Sequence, residues 1–191
     1  MKYLTLIAIL LVTGCSFSPT PSLEQYLLRA EPPVQFTSKS SRQGLVTTIS
    51  LGKVIVAPYI DGLGLVLEKG DGQVHTARDH QWAEPLRLSL RSFFSNKISE
   101  NFGQPIRAYS YGSKDLSRRI DIRIDELHGT KNGEAKLVAF WVVIDLGKQA
   151  VLSENSFYDT EALAHDGYDA LVFAEKTLLS RLASSIAKTL Q

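Results

Sequence analysis

The side chains that could carry chemistry are one cysteine and four histidines. The cysteine is Cys15, and the histidines are His75, His80, His128 and His165. No histidine has a tight metal-ligand spacing such as HExxH, so we expect exposed loop positions and no metal site. The sequence contains no GxSxG nucleophile elbow, and Gly62-Leu63-Gly64 lacks the third glycine of a dinucleotide loop. We therefore expect no catalytic residues, no cofactor and no enzymatic activity.

Cys15 directly follows a short export signal. The segment MKYLTLIAILLVTGC has one positive charge at Lys2 and an apolar run from Leu4 to Val12. Because a bilayer-spanning helix needs ~20 residues, this shorter run is typical of a signal peptide. The end Val12-Thr13-Gly14-Cys15 resembles a bacterial lipobox, which implies cleavage before Cys15 and acylation of its thiol.

The alternative is an ordinary signal peptide followed by an incidental cysteine. It would leave a free thiol in an oxidising compartment, which is unfavourable. Acylation instead gives a stable anchor, since each buried CH₂ group contributes about 0.8 kcal/mol and two or three chains are present. Ser16 follows the cysteine, and by the Gram-negative sorting rule it favours the outer membrane. We expect a protein anchored by lipid on the periplasmic face of that membrane.

The composition favours one ordinary domain. We expect residues 1–14 to form the lipoprotein signal peptide, residues 15–25 the acylated cysteine and a flexible tether, and residues 26–191 a single α+β domain. The 21 basic and 20 acidic residues give a net charge of only +1. So balanced a chain gives no reason to expect a nucleic-acid partner.

Hydrophobic periodicity predicts an α+β fold with two long amphipathic helices on one face of a largely antiparallel sheet of five or more strands. The helices are expected at 83–102 and 168–190, with Asp166 at the start of the second. Strands are expected at 26–28, 48–57, 63–67, 106–111, 120–125, 135–146 and 149–158, with a short return near Val74 and a polar loop at 31–47.

Two features point to protein contacts. The strand at 135–146 is apolar on both faces, so its second face needs a loop or another subunit as cover, and we prefer a protein contact. Trp82 and Glu84 lie at the start of the first expected helix. They either pack as a helix-start staple and a dipole-compensating acid, or they contribute to a partner surface.

Several of these elements together resemble one family, the ABC-type transport auxiliary lipoproteins, and in particular those of the paraquat-inducible Pqi system. They are the lipobox, Tyr26-Leu27-Leu28, the strand end Val54-Ile55-Val56-Ala57-Pro58-Tyr59, the element His80-Gln81-Trp82-Ala83-Glu84-Pro85-Leu86 and the C-terminal helix. The resemblance covers nearly the whole chain, and Trp-Ala-Glu-Pro-Leu is its most specific part.

The resemblance implies an outer-membrane lipoprotein of an envelope lipid-transport system. Its partner would be an MCE-domain protein of the PqiB type, which the lipoprotein docks or caps, with Tyr59, Trp82 and Glu84 as candidate partner-binding residues. A homo-oligomer is expected, because a tubular partner is best met by a cyclic assembly. The alternative is a monomeric periplasmic lipoprotein that itself binds a lipid or small molecule, which requires a deep apolar pocket.

Replacing Cys15 by alanine removes the acceptor thiol. We expect Cys15→Ala to accumulate as an unprocessed or soluble precursor, visible by membrane fractionation and gel mobility. Metabolic labelling with a fatty-acid analogue should tag the wild-type chain alone, so labelling of the variant would contradict the assignment.

Overall fold

The computed structural model describes residues 22–30, 48–108 and 116–191. The strands are β1 (Glu24–Tyr26), β2 (Thr48–Val56), β3 (Gly64–Gly70), β4 (Gln73–Trp82), β5 (Ile106–Arg107), β6 (Leu116–Gly129), β7 (Glu134–Asp145) and β8 (Ala150–Ala162), and the helices are α1 (Leu86–Phe102) and α2 (Tyr168–Lys188). Cys15, the expected loop at 31–47 and part of the strand expected at 106–111 lie outside the described residues.

The eight strands form one mixed sheet in which β6 is the central member. One edge of β6 pairs antiparallel with β7, which in turn pairs antiparallel with β8. The other edge of β6 pairs parallel with β2 over Leu116–Ile124 and parallel with β3 at Gly129. The expected largely antiparallel sheet is therefore wrong. The reason is that β2 and β3 are consecutive in the chain but pair with β6 and not with each other, and the chain runs from β2 to β6 through a crossover that includes α1.

Gly129 allows β3 to approach the end of β6. A Cβ atom at this position would lie 2.5 Å from Cδ2 of Leu67 on β3 and 3.2 Å from Cδ1 of Leu171 on α2. A larger residue would force at least the Leu67 side chain to move. The glycine thus allows close packing at the point where three elements meet.

The core lies between one face of the sheet and both helices. The alternation predicted for β6 is confirmed, since Ile120, Ile122 and Ile124 are buried while the intervening residues are charged. Other buried residues come from β7 and from the inner faces of α1 and α2, and they are Leu137, Ala139, Trp141, Val143, Leu90, Phe94, Ile98, Leu178, Leu179, Leu182 and Ile186. Each large aliphatic or aromatic side chain contributes roughly 1.5–3 kcal/mol through burial.

The element boundaries differ from the expectations at several points. β1 includes Glu24 and Gln25, which we had assigned to the tether, and β4 is a full strand where a short return was expected. α1 begins at Leu86, directly after Pro85, and ends at Gly103 in the left-handed region at φ 77°. Asp166 does not cap α2, because Gly167 occupies the cap position and no side chain bonds there.

Glu175 is a buried carboxyl group on the inner face of α2. Its side chain is 1% exposed, and its Oε2 atom has no hydrogen-bond partner among the described residues. Burial raises the pKa of Glu175 from 4.5 to about 8. The folded protein therefore holds this carboxyl group in its neutral form near pH 7.

We expect the Glu175→Gln variant to lose part of the pH dependence of folding. Between pH 4.5 and about 8 the folded chain binds a proton that the unfolded chain has released. The free energy of unfolding therefore falls by roughly 1 kcal/mol per pH unit as the pH rises. Urea unfolding across this range should show a gain for E175Q over wild type that grows with pH. Glu100→Gln, on the exposed face of α1, is the matched control; parallel profiles for E175Q and wild type would show the carboxyl group to be solvated.

Truncating Trp82 should destabilise the fold strongly. Its side chain is 3% exposed and belongs to the main core, whereas neighbouring Leu63 is 39% exposed. We expect Trp82→Ala to lower the free energy of unfolding by about 3–5 kcal/mol and Leu63→Ala by less than ~1 kcal/mol. Denaturant unfolding at fixed pH measures both, and equal small losses would refute the buried position of Trp82.

Candidate partner-binding surfaces

The connection between β4 and α1 is fixed from both sides. The Trp82 N–H donates to the Leu63 carbonyl at 2.7 Å, and the Ala83 N–H donates to the Tyr26 carbonyl at 2.8 Å. These bonds hold the indole of Trp82 in the core. Of the two interpretations left open by the sequence, the packing role therefore describes Trp82 in the isolated chain, and its side chain is not a surface contact.

Glu84 lies on the surface beside the buried Trp82. Its carboxylate is 3.7 Å from the Arg29 guanidinium, and one turn further Arg87 donates to Asp61 at 2.6 Å. Both ion pairs are partly exposed, so each contributes little to stability. Their effect is to join the segment after β1, the loop after β2 and the start of α1 into one charged edge.

Tyr59 lies in the loop after β2 and packs against β6, away from Glu84. Its ring is 38% exposed, its hydroxyl donates to the Asp125 carbonyl at 3.3 Å, and its centroid is 6.1 Å from that of His128. Burial, followed by the nearby carboxylates of Glu126, Glu68 and Asp125, raises the pKa of Tyr59 to about 12. The hydroxyl therefore remains protonated and available as a donor at neutral pH. No hydrogen bond or ion pair links the described residues Tyr59 and Glu84.

A polar cluster beside Tyr59 was not expected from the sequence. Lys136 Nζ lies 2.6 Å from Glu126 Oε2, and His128 Nε2 lies 3.2 Å from the same oxygen. Burial would raise the pKa of Glu126, but the hydrogen bonds from Lys136 and His128 outweigh it and hold this pKa below its usual value. The same hydrogen bond to Glu126 raises the pKa of Lys136. His128 is 4% exposed, and His75, His80 and His128 all lie on strands, so the expectation of loop positions is wrong for these three residues.

One feature of the sequence indicates this cluster: the alternation of apolar and charged residues along β6 breaks at Asp125 and Glu126. Asp125 and Glu126 are consecutive acidic residues, and the register with β7 shifts between Ile124 and Glu126. Such a bulge places an extra residue in the strand and redirects the side chains that follow it. As a result Glu126 and His128 lie on the face of the sheet opposite to the helices.

That face, which we call the open face, combines apolar and charged side chains. Ile55 is 52% exposed and Phe140 37% exposed, and the Arg123 guanidinium lies 4.7 Å from the Phe140 ring centroid. Arg119 pairs with Asp121 at 2.9 Å. A shallow depression of about 180 Å³ lies here, lined by Lys53, Ile55, Asp121, Ile122, Arg123, Phe140, Trp141 and Val142. The apolar face expected for β7 is thus present, with the charged side of β6 as its neighbour.

The segment after the expected tether is attached to the body by β1. This strand pairs parallel with the end of β4, with Glu24 opposite His80 and Tyr26 opposite Trp82. The His80 ring stacks on Tyr168 at a centroid distance of 4.2 Å and on Tyr26 at 6.3 Å. β1, β4 and the start of α2 are therefore joined by one aromatic stack. Within the described ranges, neither helix is long and apolar enough to cross a membrane.

Nearly the whole chain matches known proteins. The family described as ABC-type transport auxiliary lipoprotein component matches residues 26–187. The intermembrane transport lipoprotein PqiC of Escherichia coli K12 is 27% identical, in an alignment that covers 100% of this chain and 97% of that protein. PqiC of Shigella flexneri gives the same identity and the same coverage.

Solved structures confirm the architecture. A crystal structure of an uncharacterized protein has a TM-score of 0.73 at 20% identity and covers 89% of this chain and 99% of its own. Protein XCC0632 from Xanthomonas campestris has a TM-score of 0.63 at 14% identity, with 73% and 80% covered. At such identities the likeness concerns the fold alone. The resemblance inferred from the sequence is confirmed by the match over residues 26–187, and the chain belongs to the family of ABC-type transport auxiliary lipoprotein components.

Proposed function

We propose that this protein is an outer-membrane lipoprotein subunit of an MCE-type envelope lipid-transport system. The observation that carries the proposal is the likeness to the intermembrane transport lipoprotein PqiC, which extends over 100% of this chain. In this role the protein docks or caps an MCE-domain protein of the PqiB type and thereby supports membrane integrity. It binds and assembles, and it contributes no catalytic step.

The proposed anchor limits where the body can lie. Acyl chains on Cys15 hold the chain in the outer membrane, and nine residues later the chain enters β1 at Glu24. A fully extended segment of that length spans about 30 Å. The periplasmic body therefore stays close to the membrane, with the β1 side of the sheet nearest to the anchor.

Two surfaces are available for the proposed docking. One is the charged edge around Glu84, Arg29, Asp61 and Arg87, and the other is the open face beside Tyr59. We retain Glu84 and Tyr59 as partner-binding residues and assign Trp82 the task of positioning Glu84 from the core. A cyclic homo-oligomer coaxial with the partner would repeat both surfaces around a ring.

The alternative function, a monomer that itself holds a lipid or small molecule, requires a deep apolar pocket. The depression on the open face holds only about 180 Å³. Two larger depressions are also open to solvent: one of about 310 Å³ beside Leu67, Leu163, Tyr168 and Leu171, and one of about 330 Å³ beside His75, Arg78, His80 and Tyr168. None of the three is the deep, enclosed apolar pocket that a lipid requires, so docking remains our proposal.

Affinity purification of the full chain from detergent-solubilised envelopes tests the role, with the MCE-domain protein detected by mass spectrometry. We expect Glu84→Lys and Tyr59→Ala each to reduce its recovery by about tenfold, the effect of losing a central contact. The matched controls are Glu100→Lys and Phe173→Ala, which change an exposed acid and an exposed aromatic ring on the two helices.

Wild-type material that recovers no MCE-domain protein would contradict the proposal. Native mass spectrometry of the same sample distinguishes the alternative, because a monomer with one bound lipid would support the ligand-binding function. Equal losses in the variants and their controls would remove Glu84 and Tyr59 from the interface while leaving the docking role intact.

A further inference from the structure

β8 is a long strand with one free edge. It extends over the 13 residues Ala150–Ala162, and among the described residues its only strand partner is β7. The other strands at the ends of the sheet, β1 and β5, have three and two residues. The exposed edge of β8 is therefore the longest row of strand backbone available for pairing in the described part of the chain.

The hydrogen-bond pattern shows which backbone groups point outward. The Leu163 N–H donates to the Gly133 carbonyl at 2.9 Å, one step beyond the Ala162–Glu134 pair of the ladder. In an antiparallel ladder, bonded and non-bonded pairs alternate. Asn155, Phe157 and the other odd-numbered residues from 153 to 161 therefore bond to β7. The N–H and C=O groups of Glu154, Ser156 and Tyr158 point away from the sheet.

The usual protection of such an edge is weak here. Ala150–Ala162 contains no proline, lysine or arginine, and its one register shift lies near the start, between the residues opposite Ile144 and Val143. One outward N–H is covered, since that of Thr160 donates to the Asp159 carboxylate at 2.9 Å. The stretch from Glu154 to Tyr158 has regular pairing with β7 and an open outer edge.

The charge along the edge indicates the chemistry of its partner. The strand has three acidic residues, Glu154, Asp159 and Glu161, and the Arg181 side chain on α2 binds the last two. Glu154 is exposed and has no ion-pair partner among the described residues. Asp159 and Glu161 are thus compensated within the chain. An antiparallel copy of β8 would add a second unpaired Glu154 carboxylate to the edge, which is unfavourable. A cationic strand would compensate Glu154.

We propose that the outer edge of β8 binds an extended segment of a partner protein, rich in lysine or arginine, as an additional strand of the sheet. The backbone groups of Glu154, Ser156 and Tyr158 supply the affinity, and the exposed carboxylate of Glu154 selects for positive charge. Tyr158 is 69% exposed, and Lys136 Nζ lies 5.9 Å from the centroid of its ring. The rest of the ring can cover the aliphatic stem of an incoming side chain. This binding mode goes beyond the proposed function, since it does not depend on which protein supplies the segment.

Amide hydrogen exchange measured by NMR on the full chain in non-ionic detergent tests the proposal. The probe is an acetylated, amidated peptide of alternating lysine and threonine, about eight residues long, an ordinary strand length. At about ten times its dissociation constant we expect about tenfold slower exchange at Glu154, Ser156 and Tyr158. Asn155 and Phe157, already bonded to β7, should change little. Binding should weaken as salt is added.

Two controls separate strand pairing from general attraction. Ser156→Pro removes one outward N–H without breaking a bond to β7, so it should abolish binding, whereas Ser156→Ala should retain it. Should the proline variant fail to fold, a probe peptide that is N-methylated at alternate residues gives the same test on wild-type protein. A glutamate–threonine peptide should not bind.

Three outcomes would overturn the proposal. Equal protection of odd and even residues would show that the peptide does not pair as a strand. Protection of Ser156 and Tyr158 without peptide, rising with protein concentration, would assign the edge to a second copy. The same protection independent of concentration would show that another segment of this chain covers it.

Discussion

The pairing of β6 with both β2 and β3 is the constraint on which the rest of the structure depends. This pairing joins segments far apart in the chain, and Gly129 leaves room for Leu67 of β3 and Leu171 of α2 at the end of β6. The isoleucine face of β6 and the inner face of β7 together form one apolar surface against which both helices pack. The opposite face receives the charged residues of β6, so one strand determines which side of the protein is core and which is surface.

The hydrophobic pattern along the sequence was sufficient to predict most helices and strands, but it did not predict which strands pair. The alternation at Ile120–Asp125 and the periodicity of α2 are confirmed, because each reflects burial along a single element. The mixed sheet was missed, since the neighbours of β6 are set by a crossover that no local pattern records. β4 was missed as well, because Gln73–Trp82 is largely exposed and its polar sequence lacks alternation. Glu175 falls on the apolar stripe of α2, but its residue type argued for the surface.

The sequence likewise predicted only part of the candidate site, because the rest depends on tertiary packing. Glu84 is accessible, as a contact residue must be, while Trp82 is buried, and the sequence alone allowed either position for the tryptophan. The cluster of Glu126, His128 and Lys136 depends on a bulge, and only the break in alternation indicated it. The open face and the β8 edge adjoin at Tyr158, so the surface without helices is continuous from the end of β2 to the outermost strand.

The small strand β1 has a mechanical consequence. With the proposed anchor at Cys15, any load between the membrane and the body passes through Glu24–Tyr26 before it reaches the other strands of the sheet. A pull along the strand direction would strain its backbone bonds to β4 together, in shear, and the stacked rings of Tyr26, His80 and Tyr168 would share the load. With such an anchor, the three-residue pairing of β1 with β4 would be the first part of the fold to carry the load.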